Sequence, residues 1–149
     1  MAQPDRVELR EITDDNRAAV EALAVAPGQE RFVADVRRSL ADAAGAPTYP
    51  YVRAIYAGTE PVGFLMLDED GPDGHYLWRL LIDGRYQGRG YGRAALDLLT
   101  AYVRTRPGGD VLVLSAVPGE GSPIPFYQRY GFQLTGEVKD GEHVLTLRL

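Results

Sequence analysis

The sequence predicts an α/β fold, and two features carry that prediction. The apolar run Leu77-Trp78-Arg79-Leu80-Leu81-Ile82 leads through the glycine-rich turn Gln87-Gly88-Arg89-Gly90-Tyr91-Gly92-Arg93 into the helix-like Ala94-Ala95-Leu96-Asp97-Leu98-Leu99, and the apolar Val111-Leu112-Val113-Leu114 follows. Strand, helix and strand at this spacing make a βαβ unit, whose crossover is expected to be right-handed. On either side of it, short strand-like and helix-like segments follow one another with no linker or repeat between them, as expected of layered α/β structure.

Taken in order, residues 7–12 alternate apolar and polar as a half-buried strand, and Thr13-Asp14-Asp15-Asn16 offers N-cap chemistry for a helix through Val25. Pro27-Gly28 breaks that helix. A second helix is predicted over residues 30–44, with Phe32, Val33, Val36 and Leu40 at helical spacing, and Gly45-Ala46-Pro47 ends it. Residues 51–56 and 62–67 read as a hairpin across Gly58-Thr59-Glu60, and residues 68–74 as an acidic loop. The βαβ unit takes a strand at 76–82, a helix to Arg104, a turn at Pro107-Gly108-Gly109 and a strand at 111–117. A short helix at 124–130 and strands at 132–138 and 143–149 complete the chain.

With 149 residues, 45% of them hydrophobic, the chain has the length of one domain that buries its own core, so a single domain over residues 1–149 is expected. No apolar stretch approaches the ~20 residues needed to cross a bilayer. The opening Met-Ala-Gln-Pro-Asp-Arg lacks the basic-then-apolar layout of a signal peptide, so a cytoplasmic protein without a membrane partner is expected. A net charge of −5 argues against a nucleic-acid surface, which needs clustered basic residues. Without cysteine, and with two histidines far apart in the chain, neither a metal centre nor a thiol nucleophile is expected.

The glycine-rich turn carries the chemistry. A strand that feeds such a turn and then a helix N-terminus presents backbone N–H groups without intrahelical acceptors at the positive end of the helix dipole, which is a cradle for phosphate. Glycine lets a diphosphate approach the backbone, and Arg89 and Arg93 add charge-assisted donors at the same mouth. A nucleotide-hydrolysing P-loop would need Lys-Ser/Thr after its last glycine, and Gly92 is followed by Arg93-Ala94. Gly90-Tyr91-Gly92-Arg93-Ala94-Ala95 matches the dinucleotide pattern G-x-G-x-x-A, whose acidic ribose partner should end the next strand. Asp110 has the required separation but begins that strand.

Gln87-x-x-Gly90-x-Gly92 after a strand, followed by Phe126-Tyr127 and Tyr130-Gly131-Phe132, closely resembles the GNAT superfamily of N-acetyltransferases, over most of the chain from Val7 onward. The strand Tyr76 to Ile82, the long glycine turn and the ending Gly136-Glu137-Val138 with Gly141-Glu142 look like its diamine or polyamine acetyltransferase branch. The resemblance implies a mixed, mostly antiparallel sheet of about seven strands with helices on both faces, splayed by a β-bulge at the acetyl-CoA site. It also implies that Gln87, Gly88, Arg89, Gly90, Tyr91, Gly92 and Arg93 hold the pyrophosphate of acetyl-CoA, with Phe126 and Arg129 beside it. The main chain of Leu80, Leu81 and Ile82 would pair with the pantetheine arm and supply the oxyanion donor. Tyr127 would face the thioester sulfur.

Direct attack of an amine on a thioester in a ternary complex needs a neutral amine, a stabilised oxyanion and a proton for the departing thiolate. Tyr127 is the candidate acid, its competing role being an aromatic anchor. No general base is evident: many family members place a glutamate near Tyr76, and no acid lies between Asp73 and Asp83. Glu120 stands where the family often has asparagine, and Pro123 replaces its usual alanine. The acceptor, a small-molecule primary amine, is expected to meet Tyr49, Tyr51, Asp70, Asp73 and Glu120, where carboxylates would attract an ammonium and tyrosines would stack on it. Other outcomes kept open are a peptide, protein or aminoglycoside amine, and a coenzyme-A-binding module without turnover. Exposed strands after Tyr130 make a homodimer an expectation.

Overall fold

A computed structural model describes residues 6–71 and 74–149. Its strands are β1 (Val7–Arg10), β2 (Tyr51–Ala57), β3 (Glu60–Gly71), β4 (Gly74–Ile82), β5 (Val111–Ala116), β6 (Gln133–Lys139) and β7 (Glu142–Arg148), and its helices α1 (Arg17–Glu21), α2 (Val36–Ala44), α3 (Tyr91–Arg104) and α4 (Ile124–Tyr130). The strands form one seven-stranded sheet in the order β1-β2-β3-β4-β5-β7-β6. Only β4 and β5 pair in parallel; every other neighbouring pair is antiparallel.

Alternation along β2 and β3 sends side chains to two cores. Ile55, Leu65 and Leu67 pack with Leu96, Leu99 and Val103 of α3 and Tyr127 of α4 on one face. Ala54, Phe64 and Met66 pack with Val20 of α1 and Val36 and Leu40 of α2 on the other. Each fully buried side chain of this size contributes about 1.5–3 kcal/mol, so both faces hold the sheet.

One residue of β4 breaks the alternation. Leu77 pairs with Leu67 and Arg79 with Met66, leaving Trp78 as a bulge without a partner on β3. Leu77 and Leu81 would share a face in a regular strand, yet they belong to opposite cores, because one extra residue inverts the parity of all that follows. On its other edge β4 pairs with β5 only at His75↔Leu112 and Tyr76↔Val113. Beyond Tyr76 the two strands splay, and residues 77–82 face a wedge-shaped gap with unpaired main chain.

Three predicted elements differ. The first helix stops at Glu21 rather than Val25, because Ala24 N–H donates to Asp83 Oδ2 (3.0 Å) and the Ala24 carbonyl accepts from Gly84 N–H (2.8 Å), which draws the backbone out of the helix. The second begins at Val36, capped by Asp35 Oδ1 accepting from Arg38 N–H at 2.8 Å. Residues 68–71, expected in a loop, continue β3, with Asp68 paired to Tyr76 and Gly71 to Gly74. The expected acceptor residue Asp73 lies outside the described residues.

Candidate active site

A cleft of about 930 Å³ occupies the wedge between β4 and β5. Residues 77–82 form its floor, the glycine turn and α3 N-terminus one end, α4 the other wall, and residues 29–34 a strap across it. The strap is tied at both sides. Gln29 and Gln87 exchange side-chain amide hydrogen bonds at 2.8 and 3.1 Å, and Arg31 Nη2 donates to the Glu120 carbonyl at 3.1 Å.

The cradle is built as a helix N-terminus. Gly90 caps α3 with φ +85°, a left-handed conformation that an L side chain adopts only at a cost. A Cβ placed on Gly88 or Gly90 would meet nothing within 4 Å, so the space above both is open to a ligand. Gly92 serves otherwise: it is helical, and a Cβ there would come within 3.1 Å of the Phe126 ring. The first helical hydrogen bond runs from Ala94 N–H to the Gly90 carbonyl (3.0 Å), leaving the N–H groups of Gly92 and Arg93 in the first turn ahead of any helical acceptor. Open space, donors and dipole fit a diphosphate. Gln87 lines the cleft and also holds this turn, its Nε2 donating to the Ile82 carbonyl at 2.9 Å.

Asp83 anchors the same turn. Its buried carboxylate accepts from Ala24 N–H, Arg85 N–H and Arg85 Nε at 2.9–3.0 Å. Burial would raise its pKa, but the hydrogen bonds from the Arg85 side chain and from the Ala24 and Arg85 backbones outweigh burial and hold it below the ordinary 3.8. A depressed folded-state pKa adds stability that is fully present above the unfolded value and is lost as pH falls through the folded one. Asp83→Ala is therefore expected to destabilise the fold by about 1–3 kcal/mol at pH 7. The gap in denaturation free energy between variant and wild type should close below about pH 4, and a gap independent of pH would refute the charged role.

Tyr127 sits on α4, 7% exposed, with its ring edge-on to Phe126 at 5.3 Å and Phe132 at 5.6 Å. It lines the cleft. Burial above all, and then the neighbouring Tyr76, push its pKa well above the usual tyrosine value. The hydroxyl therefore stays protonated around neutral pH, the state a proton donor needs.

The structure brings Leu80, Leu81, Ile82, Gln87, Gly88, Gly90, Tyr91, Gly92, Arg93, Phe126, Tyr127 and Arg129 to one cleft. Arg89 stands outside its wall, 5.7 Å above the Tyr86 ring. Of the expected acceptor residues, Tyr49, Tyr51, Asp70 and Glu120 are not part of the cleft lining. Tyr49 is 62% exposed and away from the cleft, while Tyr51 faces α3, its ring 4.0 Å from that of Tyr102. Asp70 is exposed on β3, and Glu120 is exposed, its main-chain carbonyl accepting from Arg31. The cleft wall instead holds Glu30, Phe32, Trp78, Arg79 and Glu142. Arg79 donates to Asp42 Oδ2 at 2.9 Å and to the Trp78 carbonyl at 3.1 Å; burial lowers its pKa and Asp42 opposes the shift. The Trp78 bulge, which regular strand alternation does not foresee, is what sets the face that Arg79 takes. Among the described residues no group of three or more His, Asp or Glu could hold a metal ion, and no helix is long and apolar enough to cross a membrane.

A splayed β4–β5 pair with a phosphate cradle at its mouth defines an acyl-coenzyme-A-dependent transferase, and the chain belongs to the acetyltransferase (GNAT) family, whose model matches residues 28–132. Acetyl-CoA is the cosubstrate. The chain is 34% identical over 151 residues to the spermine/spermidine N(1)-acetyltransferase of Bacillus subtilis (strain 168), covering 96% of this chain and 99% of that one. An acetyltransferase from Thermus thermophilus shares the fold with a TM-score of 0.77 at 23% identity, over 96% of this chain and 97% of that chain. The PaiA N-acetyltransferase of Thermoplasma acidophilum, solved in complex with coenzyme A, does so with a TM-score of 0.71 at 13% identity, over 97% and 99%.

Proposed function

We propose that this chain is a cytoplasmic enzyme that transfers the acetyl group of acetyl-CoA to a primary amine of a small diamine or polyamine, by direct attack in a ternary complex. The observation that carries the reading is the continuity of one cleft from the glycine cradle to Tyr127, along the edge of residues 77–82 that β5 leaves unpaired. Acetyl-CoA supplies the activated thioester. The N–H groups at the α3 N-terminus, with Arg93 and Arg129, would hold its phosphates. The main chain of Leu80 and Ile82 would orient its extended arm as an added strand and stabilise the oxyanion. Tyr127 would protonate the leaving sulfur.

The full-length similarity to a spermine/spermidine enzyme supports a polycationic acceptor. Glu30 and Glu142, the carboxylates on the cleft wall, are the groups proposed to meet its ammonium ends, in place of Asp70 and Glu120. A second copy covering β6, a sheet edge whose residues are all exposed, Leu134 and Val138 among them, belongs to the same proposal.

Thiol release measured with spermidine, putrescine, butylamine, an aminoglycoside and a peptide N-terminus tests the acceptor. Spermidine is expected to exceed butylamine in kcat/KM by about tenfold, the worth of ~1.4 kcal/mol. Attraction between charges is screened by salt, so the ratio should shrink as ionic strength rises. Glu142→Gln should shrink it as well. Turnover of the aminoglycoside or peptide but not of spermidine would sink the polyamine assignment. Tight coenzyme A binding without turnover of any amine would leave a binding module.

A further inference from the structure

An alkyl ammonium holds its proton to about pH 10 and must lose it before the nitrogen can attack. β4 carries no Asp or Glu between Gly74 and Ile82, so the floor of the cleft supplies no carboxylate base. It does border a pair of coupled hydroxyls. Ser115 Oγ and Tyr76 Oη are hydrogen-bonded to each other. They stand at the end of the β4–β5 pairing, where Tyr76↔Val113 is the last matched pair. Ser115 lines both the active-site cleft and a second cavity of about 250 Å³. Tyr76 and Asp68 line that second cavity, and these two face each other in the β3–β4 register.

A hydroxyl accepts one proton while donating another, so two hydroxyls in series can pass a proton without moving far. We propose that Ser115 and Tyr76 form a relay that takes the proton of the acceptor ammonium out of the active-site cleft and releases it into the second cavity towards Asp68. The proposal rests on the amine-acetyltransferase reading and adds the residues that prepare its nucleophile. The ammonium N–H bond breaks and an O–H bond forms at Ser115 Oγ. Ser115 passes its own proton to Tyr76 Oη, and Tyr76 passes its own to water in the second cavity, with Asp68 as the attracting carboxylate. The electron pair stays on nitrogen, and no oxidant or reductant is involved.

The charged and titratable groups around the pair are Asp68 on β3, Arg79 on β4, Tyr127 on α4, Lys139 on β6 and Glu142 on β7. Lys139 is held by Glu137 at 3.4 Å and Arg79 by Asp42 of α2 at 2.9 Å.

Ser115→Ala, Tyr76→Phe and the double variant are compared with wild type in kcat against pH, using the amine that wild type turns over best. Each single variant is expected to lose about tenfold to a hundredfold in kcat at pH 7 with unchanged coenzyme A affinity by calorimetry, and the double variant no more than either alone. The loss should shrink as pH rises towards that of the free amine, because an acceptor already deprotonated in solution needs no relay. Ser115→Thr, which keeps the hydroxyl, should restore activity and decides the matter should Tyr76→Phe fold poorly. Variants with the wild-type profile, or a loss equal at every pH, would overturn the relay and leave the acetyltransferase reading standing. A pH-rescued loss in Glu142→Gln but not in Ser115→Ala would make Glu142 the base instead. A wild-type protein that turns over no amine overturns both readings.

Discussion

Tyr127→Phe is expected to lower turnover by about 10²–10⁴-fold, the range of a positioned general acid, while the protein folds normally and binds coenzyme A as before. The substitution removes one oxygen. The ring keeps its edge contacts with Phe126 and Phe132, and the core cluster around Phe132 and Ile124 keeps its volume. The stability cost should therefore stay within about 1 kcal/mol, small beside the 3–5 kcal/mol of deleting a whole buried ring. The expected loss resides in chemistry. A departing thiolate is stabilised when it takes up a proton, and Tyr127, which lines the cleft, is the group proposed to supply it. Because burial and Tyr76 raise the Tyr127 pKa above the ordinary value of 10.0, deprotonation of this acid should not depress wild-type kcat below about pH 10. Single-turnover rates and calorimetric coenzyme A affinities measured together decide the point. Normal single-turnover chemistry in the variant would reduce Tyr127 to an aromatic anchor.

What the sequence reveals of this fold is what is encoded locally. The α4 boundaries are legible because Pro123 precedes the helix and Gly131 follows it, whereas α3 begins at Tyr91, inside the predicted turn, because Gly90 is its cap. The cradle is legible because strand, turn and helix lie within about twenty consecutive residues. The acceptor wall is not, since its members come from three distant stretches of chain. Glu30 and Phe32 read as part of a helix, but the Gln29–Gln87 amide pair and the Asp35 cap leave residues 28–34 as a strap. That choice is made by a contact across 58 positions in the chain.

Trp78 shows a second limit. Regular alternation from Leu77 onward puts Arg79 and Leu81 with Leu77, and the bulge reverses this. A one-residue register change leaves no composition signal. The abundance of tyrosines near residue 50 points Tyr51 to the acceptor side, whereas its register on β2 sends it towards Tyr102 of α3. The acidic run at 68–70 resembles a loop until Glu69 finds its partners, the Tyr102 hydroxyl at 3.0 Å and Arg106 Nε at 3.0 Å, both on a helix or just beyond it and more than thirty positions away.

Gly90→Val is expected to weaken coenzyme A binding at least about a hundredfold. Two effects act together. Valine at φ +85° is strained, since an L residue in the left-handed region costs about 1–2 kcal/mol and a β-branched one more. Its side chain also enters the open space above the turn, where nothing of the protein stands within 4 Å and a diphosphate would lie. Displacing the phosphates from two N–H donors removes charge-assisted hydrogen bonds worth about 1.5–3 kcal/mol each, which sets the lower bound on the loss. Strain alone is separable from blockage. Gly108, beyond the other end of α3, has φ +72° and likewise nothing within 4 Å of a built Cβ. Gly108→Val should therefore lower thermal stability by a similar amount while coenzyme A affinity stays at the wild-type value. Calorimetry on both variants, with melting curves to match their stabilities, reads the difference. Equal affinities in Gly90→Val and Gly108→Val would remove the phosphates from the α3 N-terminus and require another place for them along the cleft.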